Sequence, residues 1–316
     1  MSTKPLLVSL PGPALSREVG VRPGVRHVEW DLSGPPPATS IDLIVLPYGG
    51  DPANLRRLRD TRARVIQSQS IGYDGIEPFL PRDTLYANAA SVHEASTAEL
   101  ALALILASER HLDDFVRDAM TGTWRPRPAA GLAGRHVVVL GAGGVGAAVI
   151  ERLRPFDVEL SIVASAERAS ELGLVHGVAA LDGLLATTDI LVVCLPLTAL
   201  TRDVIDDRRL SLLPDGSLVV NVGRGPTING AALARHAESG RIRVASDVFD
   251  PEPLPVGHAF YSLANVIIAP HVGGGTSGML SRVATLVRQQ IDRLARAEPP
   301  LNVVISTWPT NDDTRK

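Results

Sequence analysis

His136–Leu153, HVVVLGAGGVGAAVIERL, decides the fold. The run His136–Leu140 reads as a short buried strand, and from Val145 onward the apolar residues suit a helix. Between them stand Gly141, Gly143 and Gly146, a G-x-G-x-x-G pattern in the strand-to-helix setting that gives it meaning. Gly141 permits a tight turn, Gly143 lets backbone approach a pyrophosphate, and Gly146 lets the helix lie close on the strand. The N–H groups exposed at the helix start, around Gly144 and Val145, then hold the anion. Glycines also gather in ordinary loops, but the flanking strand and helix favour dinucleotide binding.

Working outward, short apolar runs alternate with helical patterns along the whole chain. They fall at Leu6–Leu10, Ile41–Leu46, Val65–Gln69, Leu160–Val163, Ile190–Leu195, Leu218–Val222, Ile242–Ser246 and Val266–Ala269. This is the pattern of parallel βαβ units and predicts an α/β protein. A chain of 316 residues exceeds what one ordinary core fills, so two domains are expected. Turn-rich stretches at Gly34–Pro37 and Trp124–Pro128 interrupt the series without forming a disordered linker.

Composition narrows the partners. With 31 basic and 34 acidic residues the formal net charge is −3, so no global field recruits nucleic acid or an anionic membrane, and a small-molecule partner is expected. The N-terminus lacks the apolar core of a signal peptide, and no run reaches the roughly 18 apolar residues of a membrane span, which points to the cytoplasm. The single cysteine, Cys194, lies in an apolar run and reads as a buried structural thiol. No histidine spacing suggests a metal.

The stretch Glu94–Arg110, EASTAELALALILASER, predicts a long helix, with Ser96 or Thr97 as cap and Glu99 completing a capping box. It is apolar over most of its circumference and must be buried on several sides, either as a core helix or also against a second subunit.

In dinucleotide-binding sheets, an acid about 20 residues beyond the glycines holds the ribose 2′-hydroxyl. Here the strand ends at Val163 and continues Ala164, Ser165, Ala166, Glu167, Arg168, with no acid at its tip. A hydroxyl at Ser165 and a cation at Arg168 suit a 2′-phosphate, so NADP(H) is expected over NAD(H). The alternative makes Arg168 a solvated helix residue and gives the ribose to Glu167.

Three further motifs each follow a predicted strand: NVGRGPTIN, DVFDPEPLP and APHVGGG. Carboxyl ends of parallel strands face the ligand crevice, so Arg224, Glu252 and His271 can converge there. Taken singly, each has a structural explanation; together they supply an anion clamp, a carboxylate and a titratable acid. Reducing a carbonyl needs a proton for the developing alkoxide, which a histidine supported by a carboxylate delivers near neutral pH. A forked guanidinium pairs with a carboxylate and polarises the adjacent oxygen.

With these motifs in order, and with ANAASVHEASTAELALALILA, Trp124 before GLAGRHVVVLGAGGVG, and LPLTALTRDVI, the chain resembles the D-isomer-specific 2-hydroxyacid dehydrogenase family over nearly its whole length. The resemblance implies two Rossmann-like doubly wound parallel-sheet domains. The substrate domain would be residues 1–92 completed by 290–316, around a dinucleotide-binding domain at 93–289. It implies that Arg224 binds substrate, Glu252 orients His271, His271 is the acid and base, and Asp247 holds the nicotinamide carboxamide. The backbone of Ile71 and Gly72 would hold the substrate carboxylate, and further cofactor contacts are expected at Leu195, Pro196, Thr201, Val222, Gly223, His271 and Gly273. The expected reaction moves a hydride between NADP(H), or NAD(H), and the 2-position of a small 2-oxo or D-2-hydroxy acid such as glyoxylate or hydroxypyruvate, in a homodimer. Substrate choice would lie in loops near Tyr48, Gly49, Tyr73 and the second subunit. The alternative on the same fold is a nucleotide-sensing, corepressor-like protein. Asn229 stands where the family commonly has aspartate, without an evident reason in the sequence.

Overall fold

The computed structural model describes residues 4–308. In chain order its strands are β1 (Leu6–Leu10), β2 (Val25–Glu29), β3 (Ser40–Val45), β4 (Arg62–Gln67) and β5 (Leu85–Ala87), then β6 (His136–Leu140), β7 (Glu159–Ala164), β8 (Arg168–Ser170) and β9 (Gly173–Gly177). They continue with β10 (Ile190–Val193), β11 (Leu218–Asn221), β12 (Arg243–Ser246), β13 (Val266–Ile268) and β14 (Val303–Ser306). The chain divides into two compact units, Met1–His93 with Ser277–Lys316, and Glu94–Thr276.

The first unit holds a six-stranded sheet in the order β14-β5-β4-β3-β1-β2. The chain enters at β1, places β2 on one side, and winds β3, β4 and β5 outward on the other. All neighbours are parallel except β14 on β5. Because successive side chains point to opposite faces, Val8, Leu10, Leu43, Val45 and Val65 fill one core while Ile44 and Ile66 fill another. The first of these cores is closed by the helix Met279–Ala295, whose Val283, Leu286, Val287, Ile291 and Leu294 form an apolar stripe at helical spacing. That stripe packs the helix into the first unit, which the chain rejoins at Ser277, whereas the sequence reading has it return near Gln290.

The second unit holds eight strands in the order β13-β12-β11-β10-β6-β7-β9-β8, parallel except for β8 on β9. From β6 the chain winds one way through β7 and β9, then crosses back and winds the other way from β10 to β13. The order therefore reverses between β6 and β10, where such sheets open a ligand crevice at their carboxyl ends. Alternation again supplies two cores: Val137, Val139, Ile190 and Val192 on one face, Val138, Leu140, Leu191 and Val193 on the other. The two mostly parallel sheets make this the doubly wound α/β protein expected from sequence.

The helix Glu94–Glu109 covers the first of those faces with Ala98, Ala101, Leu104 and Ile105. It begins before Ser96 and Thr97, which are buried in its first turn and do not cap it. A left-handed backbone at Ser91 (φ 74°) turns the chain early enough for winding to start at Glu94. Among the described residues, no helix is long and apolar enough to cross a membrane.

At the far end of this helix Glu109 is fully buried, with Arg243 at 2.5 Å and Arg135 at 3.6 Å. The pair locks the helix to β12 and to the residue before β6. Removing the acid takes one partner from each guanidinium, but Arg135 keeps Asp189 at 2.7 Å, Arg243 keeps the Gly216 carbonyl at 3.0 Å, and both, 29% and 23% exposed, can reach water. Glu109→Ala should therefore cost about 3 kcal/mol, the lower end of the range for a broken buried pair, measured as a lower urea midpoint at unchanged slope. A loss below about 0.5 kcal/mol, the level of an ordinary surface change, would contradict this.

Candidate active site

The glycine turn is a matter of close approach. Leu140 and Val193 pair at the ends of β6 and β10, so Gly141 and Cys194 come next to each other. A Cβ on Gly141, which has φ +114°, would sit 2.9 Å from the Cys194 carbonyl oxygen. A Cβ on Gly146 would strike the Gly141 carbonyl, and so the helix Gly144–Leu153 can start directly over the strand tip. Gly143 and Gly144 remain exposed at that helix start, with Val145 half-buried behind them. This cradle, filled if any of the tight glycines carried a side chain, fits a pyrophosphate held by backbone N–H groups. Cys194 lies just past β10, where burial pushes its thiol up to about 12, so it stays protonated and inert.

The neighbouring strand ends furnish the other walls. After β10, the Thr201 hydroxyl donates to the Pro196 carbonyl (2.7 Å) and accepts from the Thr198 N–H (2.7 Å), shaping the turn that starts at Leu195. After β11, Val222 and Gly223 are buried, and a Cβ on Gly223 would come within 2.6 Å of the Leu195 carbonyl. After β7, Ser165 and Arg168 are exposed, but Arg168 opens the short strand β8 and is not helical. Its guanidinium donates only weakly to the Ala166 carbonyl at 3.3 Å.

Arg224, Glu252 and His271 come together as the strand-end positions predict. His271 Nδ1 lies 2.6 Å from Glu252 Oε2, and Glu252 Oε1 accepts the Phe249 N–H at 2.7 Å. The hydrogen bond to Glu252 raises the His271 pKa above its ordinary value, against burial and the nearby Arg224 charge. Burial alone would raise Glu252, yet the bonds from His271 and Phe249, with the positive charges of His271 and Arg224, bring it down. The two therefore favour an imidazolium facing a carboxylate. Arg224 folds back on its own loop through a 2.7 Å bond to the Gly223 carbonyl.

His271 itself sits in a left-handed backbone (φ 55°), held by Asp247. Asp247 is buried at the end of β12, and its two carboxylate oxygens accept the Val272 and Gly273 N–H groups at 2.7 and 2.9 Å. Its backbone carbonyl also accepts the His271 N–H at 2.9 Å. Burial raises the Asp247 pKa despite those two N–H donors.

The sequence reading missed Asn221, which is buried, accepts the Gly223 N–H at 3.0 Å and donates to the Arg224 carbonyl at 3.1 Å. A polar residue closing the apolar strand β11 was the available signal. Asn229 also finds its reason: it caps the helix Gly230–Glu238 by accepting the Ala232 N–H at 3.0 Å. Ile71, Gly72, Tyr48, Gly49 and Tyr73 all lie in the first unit, past the ends of β4 and β3.

Residues 102–273 match the family model described as D-isomer specific 2-hydroxyacid dehydrogenase, NAD binding domain. A glyoxylate reductase of Aeropyrum pernix is 33% identical over 259 residues, which cover 77% of this chain and 76% of that one. Among solved structures, a D-isomer specific 2-hydroxyacid dehydrogenase of Xanthobacter autotrophicus, in complex with NADPH and MES, is 27% identical with a TM-score of 0.80 over 96% of this chain and 98% of that one. An NADPH-dependent glyoxylate/hydroxypyruvate reductase of Sinorhizobium meliloti, in complex with NADP and sulfate, is 25% identical with the same TM-score of 0.80, covering 96% and 98%. Doubly wound sheets, a glycine turn at the strand switch and a model match over more than half the length place this chain in the D-isomer specific 2-hydroxyacid dehydrogenase family. It is an NAD(P)-dependent oxidoreductase acting on small 2-oxo or 2-hydroxy acids.

Because Glu252 holds the imidazolium form, the His271 ring should titrate above the ordinary 6.5 when followed by NMR. In Glu252→Gln the carboxylate is gone while burial and Arg224 remain, so the transition should move to lower pH. An unmoved titration in that variant would mean that Glu252 does not support the charge.

Proposed function

We propose that this chain is a reductase of glyoxylate, hydroxypyruvate or a related small 2-oxo acid, with NADPH as donor. The His271–Glu252 pair at 2.6 Å, with Arg224 acting on both charges, is the observation that carries it. NADPH supplies the hydride to the 2-carbon. His271 gives its Nε2 proton to the developing alkoxide, and Glu252 keeps that proton in place before transfer. Arg224 pairs with the substrate carboxylate and polarises the carbonyl oxygen, joined by the Ile71 and Gly72 N–H groups. The Gly143–Val145 backbone holds the pyrophosphate, with Leu195, Pro196, Thr201, Val222, Gly223 and Gly273 against the rest of the dinucleotide, and Asp247 positions the nicotinamide carboxamide.

The preference for NADPH is supported by the tip of β7, which ends without an acid and is followed by exposed Ser165 and Arg168. A guanidinium and a hydroxyl there meet a 2′-phosphate, whereas a 2′-hydroxyl finds no carboxylate at the strand tip. The two solved relatives that carry NADPH or NADP in their complexes agree with it.

A homodimer is part of the same proposal. The long helix buries half of its residues, and the next one, Leu112–Met120, exposes Leu112, Val116 and Met120 at four-residue spacing, with Trp124 95% exposed just beyond. An uncovered apolar stripe of this kind marks a protein interface. Light scattering should give twice the chain mass, and Val116→Asp with Met120→Asp should halve it; a monomeric wild type ends that part.

The test of the activity follows NADPH absorbance across a panel of 2-oxo acids. His271→Ala should remove at least 99% of turnover while NADPH affinity stays within about threefold, since the lost proton donor contributes on the order of a hundredfold or more. Arg168→Ala should raise the KM for NADPH about tenfold, the effect of one charge-assisted contact, and leave that for NADH unchanged. Full turnover in the histidine variant, or a wild-type preference for NADH, would overturn the respective assignment.

A further inference from the structure

Beyond β4 the chain runs Ser68, Gln69, Ser70, Ile71, Gly72 without regular structure, yet buried amides govern it. Gln67, fully buried, donates to the Ser68 and Asn88 carbonyls, both at 2.8 Å, and accepts from Gln290 of the C-terminal helix at 2.7 Å. Asn88, just past β5 and 6% exposed, donates from Nδ2 to the Ile71 carbonyl at 2.8 Å and accepts the Ala90 N–H at 3.2 Å. Beside it, the Ala89 N–H donates to the Ser70 carbonyl at 2.9 Å.

Two successive carbonyls, those of Ser70 and Ile71, are thereby pulled inward. In a trans peptide the N–H points opposite to the C=O, and both of these peptides are trans. The Ile71 and Gly72 N–H groups are consequently turned outward, and neither donates to another described residue. Adjacent outward N–H groups form a concavity that accepts an anion. One of the two carbonyls is held by backbone, which no substitution removes, and the other by the Asn88 side chain.

We propose that Asn88 is a positioning residue for substrate recognition: by holding the Ile71 carbonyl it presents the Ile71–Gly72 N–H pair to the carboxylate of the 2-oxo acid. This rests on the proposed reduction of a 2-oxo acid, whose carboxylate is the anion concerned. Without Asn88 the Ile71–Gly72 peptide is free to rotate, and a carboxylate meets one oriented donor instead of two. Chemistry at His271 and the NADPH site is untouched.

Asn88→Ala and Asn88→Ser test it. Serine can still accept the Ala90 N–H but is too short to reach the Ile71 carbonyl, so it keeps the local turn and loses only the proposed contact. The readouts are KM for glyoxylate, KM for NADPH, kcat, and the inhibition constant of oxamate, an unreactive carboxylate analogue. Both variants should raise the glyoxylate KM and the oxamate constant about tenfold, with the NADPH KM within twofold and kcat within threefold. Unchanged oxamate inhibition in either variant, or NADPH and glyoxylate constants rising together, would overturn the role. If the alanine variant does not fold, the serine variant decides. If wild type binds NADPH but reduces no 2-oxo acid, the reading beneath fails separately; calorimetry of oxalate binding to wild type and Asn88→Ser then decides for Asn88, equal affinities or no binding counting against it.

Discussion

Everything in the second unit depends on how closely β6 and β10 can end side by side. Their ends are level, and the chain leaving them passes at backbone distance, Gly141 against the Cys194 carbonyl; Gly146 then folds back on Gly141, and Gly223, leaving β11, meets Leu195 just as closely. Glycine at these places removes the atoms that would collide, and the helix can then begin directly over the strand tip. The N–H groups it leaves exposed are the ones proposed to hold the pyrophosphate. A wider spacing would admit larger residues but would move the helix off the sheet and the donors out of register with a dinucleotide.

The same edge of the sheet carries the residues proposed to act on substrate, and hydrogen bonds near the strand ends fix the backbone around them. Asp247 ties down Val272 and Gly273 and so holds His271 in a left-handed backbone that its own propensity does not favour. Glu252, itself anchored by the Phe249 N–H, favours the charged form of the ring. Asn221 secures both peptides around Arg224. In the first unit Gln67, Gln290 and Asn88 do the equivalent for the loop after β4. Buried amides and carboxylates with all their contacts satisfied hold one backbone geometry, which is what recognition of a small substrate requires.

Strands buried on both faces were legible because their apolar runs are continuous: β1 and β6 match their predicted spans residue for residue. The strands β2, β5, β8, β9 and β14 were not. They are short, or lie at or near a sheet edge with one polar face, as in the fully exposed Arg168–Ser170, so nothing in their pattern separates them from loops. The misplaced cap at Ser96 and Thr97 has a related cause. Several hydroxyls and acids in EAST suit a helix start equally well, and the turn at Ser91 selects among them.

What the sequence by itself determined was the class of fold, the glycine turn and the gathering of Arg224, Glu252 and His271 at one sheet edge, because each follows from residue type and its place after an apolar run. Tertiary structure alone decided that the last helix belongs with the first unit, and that Asp247 and Asn88 act on the backbone of other loops. The physical reason is range. Glycine clashes and strand burial are local in pattern, whereas a buried amide such as Gln290 finds its partner 223 residues away, and only the packed chain brings the two together.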